Sequence, residues 1–449
     1  MLVKNLVKSP ARKYAVDILE QVFVNSIYAD EALALTLDTT RLSQRDKSLL
    51  VELVNGVIRW RVQLDWILRQ LLRGKVEKTP VRLLSILEMS LYQIRFLDKI
   101  PQYAAVSEGV EMAKREGGRS WGSLVNGVLR SYLRNPQKFI VPMSEKNPVE
   151  ALSIQYSHPQ WMIERWVKRY GQTETERLCE YNNRRPLIAV RINRTKATRE
   201  FLLEEFLKLG IDAEPSRYFD DFILLRNPHD LSKLPLFQKG LLAIQDESTA
   251  IPCRLLSPQK GETVLDMCAA PGGKTCYLAH LANDEASIIA LDKHPDRLRL
   301  LRDNVARFTL KSVFAAVADG VSFSVKPVDK ILLDAPCSGL GVLARRADLR
   351  WRRTLDDIFK IQHLQKALLK NADRLLKPGG VLVYSTCTIE PEENEVVIGD
   401  FLDSHPNYAI DKNGLGSGET FLSDEGFLKS LPQRHLMDGS FAVKLIKQA

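Results

Sequence analysis

The stretch Asp266-Met-Cys-Ala-Ala-Pro-Gly-Gly-Lys-Thr275 ends an apolar run, Thr263–Met267, and leads into residues with helical spacing. Strand, glycine-bearing turn and helix form the opening unit of a doubly wound α/β sheet, whose ligands sit at the carboxyl ends of the strands. Small residues let the backbone approach a ligand, and the helix start offers unpaired N–H groups. Three kinds of ligand compete for such a turn. Gly273-Lys274-Thr275 has the ending of a phosphate-binding loop, but Cys268 stands where that loop needs its first glycine. Pro271 also removes an N–H that would face phosphate. The Gly-x-Gly-x-x-Gly fingerprint of a dinucleotide site is absent. The remaining reading is a turn for S-adenosylmethionine (SAM), cradling an amino acid and a ribose without phosphates.

Outward from the turn, strand candidates Ser287–Leu291, Val313–Val317, Lys330–Leu333 and Val381–Tyr384 alternate with helical stretches, notably Pro295–Phe308 and Thr354–Leu376. That rhythm predicts a parallel, doubly wound, Rossmann-like sheet over residues 241–449. The backbone of Cys268, Ala269, Ala270, Pro271, Gly272, Gly273 and Lys274 would line the SAM site. Asp292 ends the second strand 20 residues after Gly272, where a carboxylate conventionally takes ribose hydroxyls. Asp319 ends the third strand and is placed for the adenine edge. A lone strand-end aspartate is as often a turn residue; aspartates in register with the turn favour the ligand role.

The fourth strand ends in Asp334-Ala-Pro-Cys-Ser-Gly339 and the fifth in Ser385-Thr-Cys-Thr-Ile-Glu390. Those two strand ends are neighbours in a doubly wound sheet, so Cys337 and Cys387 are expected to face one cleft. The ordinary role of a free cysteine is that of a small buried hydrophobe, and Cys179, Cys253 and Cys276 are assigned to it. Cys268 contributes backbone only. Six cysteines in 449 residues, with no Cys-x-x-Cys pair, make neither a disulfide scaffold nor a zinc ribbon. None of the seven histidines has metal-ligand spacing, His158 and His229 included, so no metal is expected. Two cysteines beside a methyl donor suit methylation of a pyrimidine at C5. A thiolate adding to C6 pushes electron density onto C5, which can then accept the methyl group. A free thiol is mostly protonated near neutral pH, so the site must favour the anion.

These residues are recognisable together. Cys-Ala-Ala-Pro-Gly-Gly-Lys-Thr at 268–275, Asp-Ala-Pro-Cys-Ser-Gly at 334–339, and Ser-Thr-Cys-Thr at 385–388 with Pro-Glu-Glu-Asn-Glu at 391–395 resemble the SAM-dependent RNA cytosine-C5 methyltransferases of the NOL1/NOP2/Sun family. The resemblance implies that Cys387 is the nucleophile and that Cys337 assists product release. It implies that Asp334 and Lys274 hold the polar edge of the cytosine. The 268–274 backbone, Asp292, Asp319 and Asp334 then line the SAM site. Two departures stand out: Ala344-Arg-Arg-Ala-Asp348 replaces the usual Arg-Arg-x-Pro-Asp, and Asp438-Gly-Ser-Phe441 lacks the usual aromatic pair.

The first third has a different character. It holds 23 of the 64 Lys+Arg and 16 of the 55 Asp+Glu within residues 1–150, a net of +7 against +2 for the remainder. Apolar residues recur at helical spacing in Tyr14–Val24, Leu49–Leu68 and Leu83–Phe96, predicting an all-α bundle. Leu53-Val-Asn-Gly-Val-Ile-Arg59 is echoed by Leu124-Val-Asn-Gly-Val-Leu-Arg130. With Ala15–Leu19, these segments are similar to the NusB-type RNA-binding domain. A NusB-like domain ahead of this catalytic domain resembles the bacterial 16S rRNA methyltransferases that carry one. Pro/Asn-rich residues Asn135-Pro136 and Val141–Pro148 mark a linker. The domains are therefore expected at 1–143 (helical, RNA-binding), 144–240 (a small α+β connector) and 241–449 (catalytic).

Arg345, Arg346, Arg350, Arg352 and Arg353 cluster around Trp351 just after the first cysteine loop, a composition suited to RNA phosphates and unstacked bases; the alternative is a solvated basic helix start. The implied substrate is 16S rRNA, at cytosine 967, free or in an immature small-subunit particle. Alternatives are the same chemistry on tRNA or 23S rRNA, or a non-catalytic RNA-binding assembly factor. No window approaches the ~18–20 apolar residues of a membrane span, and lysines at positions 4 and 8 break any signal-peptide core. The expectation is a cytoplasmic monomer.

Overall fold

The computed structural model describes residues 10–72, 76–141, 147–226, 228, 230–415 and 419–448. The lysine-broken start, residues 142–146 of the expected linker, and His229 lie outside them. The chain forms two compact units, one of residues 1–184 with 345–352, the other of residues 185–344 with 353–449. The residues expected as a connector at 144–240 are divided: helices Pro148–Tyr156, Gln160–Tyr170 and Gln172–Asn183 group with the first unit, the strands that follow with the second.

The first unit is helical. Pro10–Val24, Ala29–Thr39, Gln44–Arg59, Arg61–Leu71, Val81–Phe96 and the run Gln102–Arg134 surround a core that includes Leu19, Leu53, Ile67, Leu87 and Leu129. Gly117 and Gly118 break the last run, Gly118 at φ +75°. Both members of the heptapeptide echo are helical. Ser43 caps Gln44–Arg59 through its side chain to Asp46 N.

The second unit holds two sheets. In the smaller, β1 (Ile188–Ile192), β2 (Asp212–Pro215), β3 (Phe222–Arg226) and β4 (Leu242–Ile244) lie antiparallel in the order β2-β3-β1-β4. The larger contains β5 (Thr263–Asp266), β6 (Ser287–Asp292), β7 (Val313–Val317), β8 (Val328–Asp334), β9 (Leu376–Thr386), β10 (Tyr408–Ile410), β11 (Leu428–Ser430) and β12 (Ser440–Lys447). Its order is β10-β12-β9-β8-β5-β6-β7, with β11 paired to β12. Strands β5 to β9 run parallel, whereas β12 is antiparallel to β9, β10 and β11. The sheet is therefore mixed, not all parallel. The chain builds outward through β6 and β7 on one side of β5, then crosses to β8 and β9 on the other. The crevice at that reversal is where open α/β sheets bind ligands.

Apolar strands such as Val264-Leu265 and Ile331-Leu332-Leu333 are buried on both faces, as a helix-covered sheet requires. Leu368, Leu369 and Ala372 of helix Leu355–Leu375 and Val397 and Ile398 of Glu395–Ser404 join one core; Ile251 and Cys253 of Ala250–Leu256 and Tyr277 and Leu278 of Gly273–Leu281 join another. Thr354 and Asp357 form a capping box that starts Leu355–Leu375.

Candidate active site

The turn after β5 folds tightly. Gly272 has φ +97° and donates its N–H to Ala269 O at 2.8 Å. A side chain there would strike Leu301, 2.8 Å from an added Cβ, so close packing and a left-handed backbone both demand glycine. Asp292 at the end of β6 ties the turn down. Its carboxylate accepts N–H groups from Ala270 at 3.3 Å and His294 at 2.8 Å, and Arg297 reaches Ala270 O at 2.7 Å. Asp319, more exposed, pairs with Lys293 at 3.3 Å; the Val321 N–H and then Lys293 hold its carboxyl below the ordinary range.

Asp266, which opens the turn and carries no role in the sequence pattern, is buried. One of its oxygens accepts from Thr275 Oγ1 at 2.6 Å, while Oδ1 has no side-chain hydrogen-bond partner among the described residues. Burial pushes its carboxyl up to about 7, against the Thr275 bond. A buried acceptor left open at the mouth of a glycine turn is a place for a ligand's donor.

Lys274 starts the helix after the turn and points to β8: its Nζ lies 2.7 Å from Asp334 Oδ2, while Ser385 Oγ donates to Asp334 Oδ1 at 2.8 Å. Asp334 and Ser385 are register partners across β8 and β9. Burial alone would weaken the Lys274 ammonium, but the Asp334 charge and bond outweigh it and raise its pKa. The Lys274 ammonium therefore stays charged across neutral pH.

Cys337 and Cys387, from the loops after β8 and β9, meet sulfur to sulfur at 3.1 Å. Both are half-buried, in contrast to the buried Cys179, Cys253 and Cys276. The contact with Cys387, then burial, push the Cys337 thiol well above the ordinary range. Burial likewise raises Cys268 and Cys253, and lifts Cys276 to about 12.

Two loops and the start of β12 are locked together beneath the sulfurs. Gly341 N donates to Cys387 O at 3.1 Å, and Gly439 N donates to Gly341 O at 2.8 Å. An added Cβ on Gly341 would lie 2.6 Å from Gly439 O and 2.7 Å from Cys387 O.

The expected RNA contacts fare differently. Arg350 is completely buried in the helical unit, donating to Arg59 O, Ser157 O, Asn183 Oδ1 and Asn182 O at 2.7–3.2 Å. Trp351 donates its indole N–H to Ile58 O at 2.8 Å. As folded, Arg350 anchors its own segment and is closed to RNA, and the Trp351 N–H is already taken. The segment is basic and aromatic, but a guanidinium can equally satisfy stranded carbonyls inside a bundle. Arg346 pairs with Asp30 at 3.2 Å and stays partly exposed, as does Arg345. Arg353 donates to Ser338 O at 2.9 Å. His158 is buried, its Nδ1 2.8 Å from Tyr156 O. Among the described residues no group of three or more His, Cys, Asp or Glu could hold a metal ion, and no helix is long and apolar enough to cross a membrane.

A glycine turn after β5, an acidic end on β6 and two cysteines after β8 and β9 define a doubly wound methyltransferase unit, joined in one chain to a helical bundle. Three family models match in order: the NusB family over residues 9–134, a ferredoxin-like domain of RsmF/B-like methyltransferases over 158–232, and 16S rRNA methyltransferase RsmB/F over 253–446. A Bacillus subtilis protein named "Probable ribosomal RNA small subunit methyltransferase B" is 34% identical, over 98% of this chain and 99% of that one. Ribosomal RNA small subunit methyltransferase B of Salmonella arizonae is 34% identical over 91% of this chain and 92% of its own. Among solved structures, a methyltransferase homolog protein from Pyrococcus horikoshii is 32% identical, with a TM-score of 0.58 over 68% of this chain and 99% of that one. The chain belongs to the ribosomal RNA small subunit methyltransferase B family.

Proposed function

We propose that this protein transfers a methyl group from SAM to C5 of a cytosine in 16S rRNA, at position 967, through a covalent bond between Cys387 Sγ and the pyrimidine C6. The observation that carries the reading is the placement of two cysteine sulfurs 3.1 Å apart, on the loops that follow β8 and β9, together with the Lys274–Asp334 ion pair. Membership of the family supports rRNA as the substrate.

The turn fits SAM. Gly272 leaves no room for a side chain against Leu301, and Asp266 Oδ1 offers an unpaired buried acceptor for a cationic amino group. Asp292 and Asp319 would take the ribose and adenine edges. When bound there, SAM supplies an electrophilic methyl group.

The protein's own residues do the rest. Lys274 and Asp334 would grip the polar edge of the cytosine, which must leave any base stack to reach them. Cys387 as thiolate adds to C6, and the Sγ–C6 bond delivers electron density to C5. Once C5 carries the methyl group, its proton passes to a solvent base, the C–H electron pair re-forms the C5–C6 double bond, and the Sγ–C6 bond breaks with Cys387 leaving as thiolate. Cys337, held in its neutral form beside Cys387, is placed to serve that release. No step requires a metal. Arg345 and Arg346 would meet RNA backbone.

The protein would act as a cytoplasmic monomer on free rRNA or an immature small-subunit particle. Incubation with methyl-labelled SAM and 16S rRNA, followed by mapping of 5-methylcytosine, tests this. Label on tRNA or 23S rRNA would move the substrate, and RNA binding without transfer would indicate an assembly factor.

A further inference from the structure

Glu393 lies in the short turn after the second cysteine loop and is fully buried, yet it has no cationic partner at hydrogen-bond distance among the described residues. Its carboxylate is turned toward the loop of the other cysteine. Oε1 accepts the Ser338 N–H at 2.7 Å and Gln365 Nε2 at 3.3 Å, and Oε2 accepts the Ser338 hydroxyl. Ser338 Oγ also meets Thr388 Oγ1 at 2.9 Å. Ser338 directly follows Cys337, and Thr388 directly follows Cys387.

The surrounding bonds close the arrangement. Gln365 Nε2 also donates to Pro336 O at 2.9 Å, on the other side of Cys337, and Tyr384 of β9 donates its hydroxyl to Glu393 O at 2.6 Å. Thr386 Oγ1 donates to Asn394 Oδ1 at 2.6 Å, and Asn394 Nδ2 donates to Thr388 O at 3.1 Å. Burying a carboxylate without a cation is costly unless its lone pairs are filled. A site tolerates that cost where a charge-assisted acceptor can gather several donors that must not move relative to one another.

We infer that Glu393 is the positioning residue of the cysteine pair: by fixing Ser338, and Thr388 through it, one buried carboxylate sets the separation of Cys337 and Cys387. This rests on the proposed two-cysteine chemistry for its importance, though not for its geometry. A glutamine in its place keeps the shape but sets an amide NH2 donor where one oxygen accepted from Ser338, so the two Ser338 donors must compete for the single remaining oxygen.

The test uses the full-length protein and reads sulfur proximity without any methyl transfer. Diamide oxidises the two thiols to a Cys337–Cys387 disulfide while its own N=N bond is reduced to the hydrazine, which takes up both protons; the cross-linked peptide is followed by mass spectrometry. Glu393→Gln should slow cross-linking at least tenfold and lower kcat at least as much, with the KM for rRNA and the affinity for SAM within about twofold of wild type. Ser338→Ala should do the same more weakly, and the double variant should be no worse than Glu393→Gln alone. Wild-type cross-linking rates in Glu393→Gln, or losses in the two variants that simply add, would overturn the inference. So would loss of SAM binding in parallel with cross-linking, which would mark general unfolding. Slowed cross-linking in a protein whose wild type transfers no methyl group would uphold the positioning role and refute the proposed reaction instead.

Discussion

Cys337 Sγ and Cys387 Sγ stand 3.1 Å apart although 50 residues separate them in the chain. They meet because β8 and β9 are adjacent parallel strands with Asp334 opposite Ser385, so both following loops emerge at one edge. At this spacing, whichever sulfur attacks, the other is within reach of the bond being made.

The two thiols should therefore fail in different ways. Cys387→Ala is expected to reduce methylation to background, because the covalent step is lost. Cys337→Ala should let a SAM-dependent protein–RNA adduct accumulate, seen as a slow band on a denaturing gel. The same band from Cys387→Ala would exchange the two roles.

The Lys274–Asp334 pair should be needed as a pair. Asp334→Asn leaves Lys274 half-buried beside a neutral partner, and kcat/KM should fall about 100-fold, or ~2.7 kcal/mol of transition-state stabilisation. Lys274→Met should cost a similar amount, and the double variant much less than the sum. Steady-state kinetics on the three variants checks this.

Asp266 should leave a signature in stability against pH. Its folded carboxyl titrates at about 7, whereas an unfolded aspartate titrates near ~3.9. Between those values the folded state holds a proton that the unfolded chain has lost, so stability should decline as pH rises from about 4 to about 7. Asp266→Asn should flatten that slope. Urea titrations of wild type and variant at several pH values, without ligand, measure the difference.

Arg350 should prove structural. Arg350→Met removes the donor to four oxygens, two of them in fully buried bonds, and each buried acceptor left stranded costs ~1–3 kcal/mol. The variant should lose about 2 kcal/mol or more, seen as a lowered thermal midpoint. For whatever folded protein remains, the salt dependence of RNA binding should not change, since that slope counts phosphates neutralised.

What could be read from the chain follows from physical periodicity. The strands β5 to β8 are short apolar runs punctuated by turns, and the positions of Asp292, Asp334 and the two cysteines follow from the strand ends. The edge was less legible. β10 and β11 are three residues long, too short for any alternation to register. β12, Ser-Phe-Ala-Val-Lys-Leu-Ile-Lys, is apolar enough to be a strand, but nothing local says that it returns antiparallel beside β9. Arg350 and Glu393 were beyond reach for another reason. Charged residues are assigned to solvent by default, and only the fold reveals that one fills stranded carbonyls and the other gathers loop donors. The acidic run 391–395 was visible as a motif, yet no spacing rule links Glu393 to Ser338, 55 residues away.

The lock of Gly341 onto Cys387 O and Gly439 has a consequence for synthesis on the ribosome. Domains fold as they emerge, N-terminal portions first. Both cysteines are translated well before Gly439, whose N–H closes the lock on Gly341, and before β12, which covers the outer edge of β9. A nascent chain that has reached only residue 430 would carry both thiols on loops not yet fastened from below. The lock on the two cysteine loops thus closes only once Gly439 has been translated, well after the helical bundle.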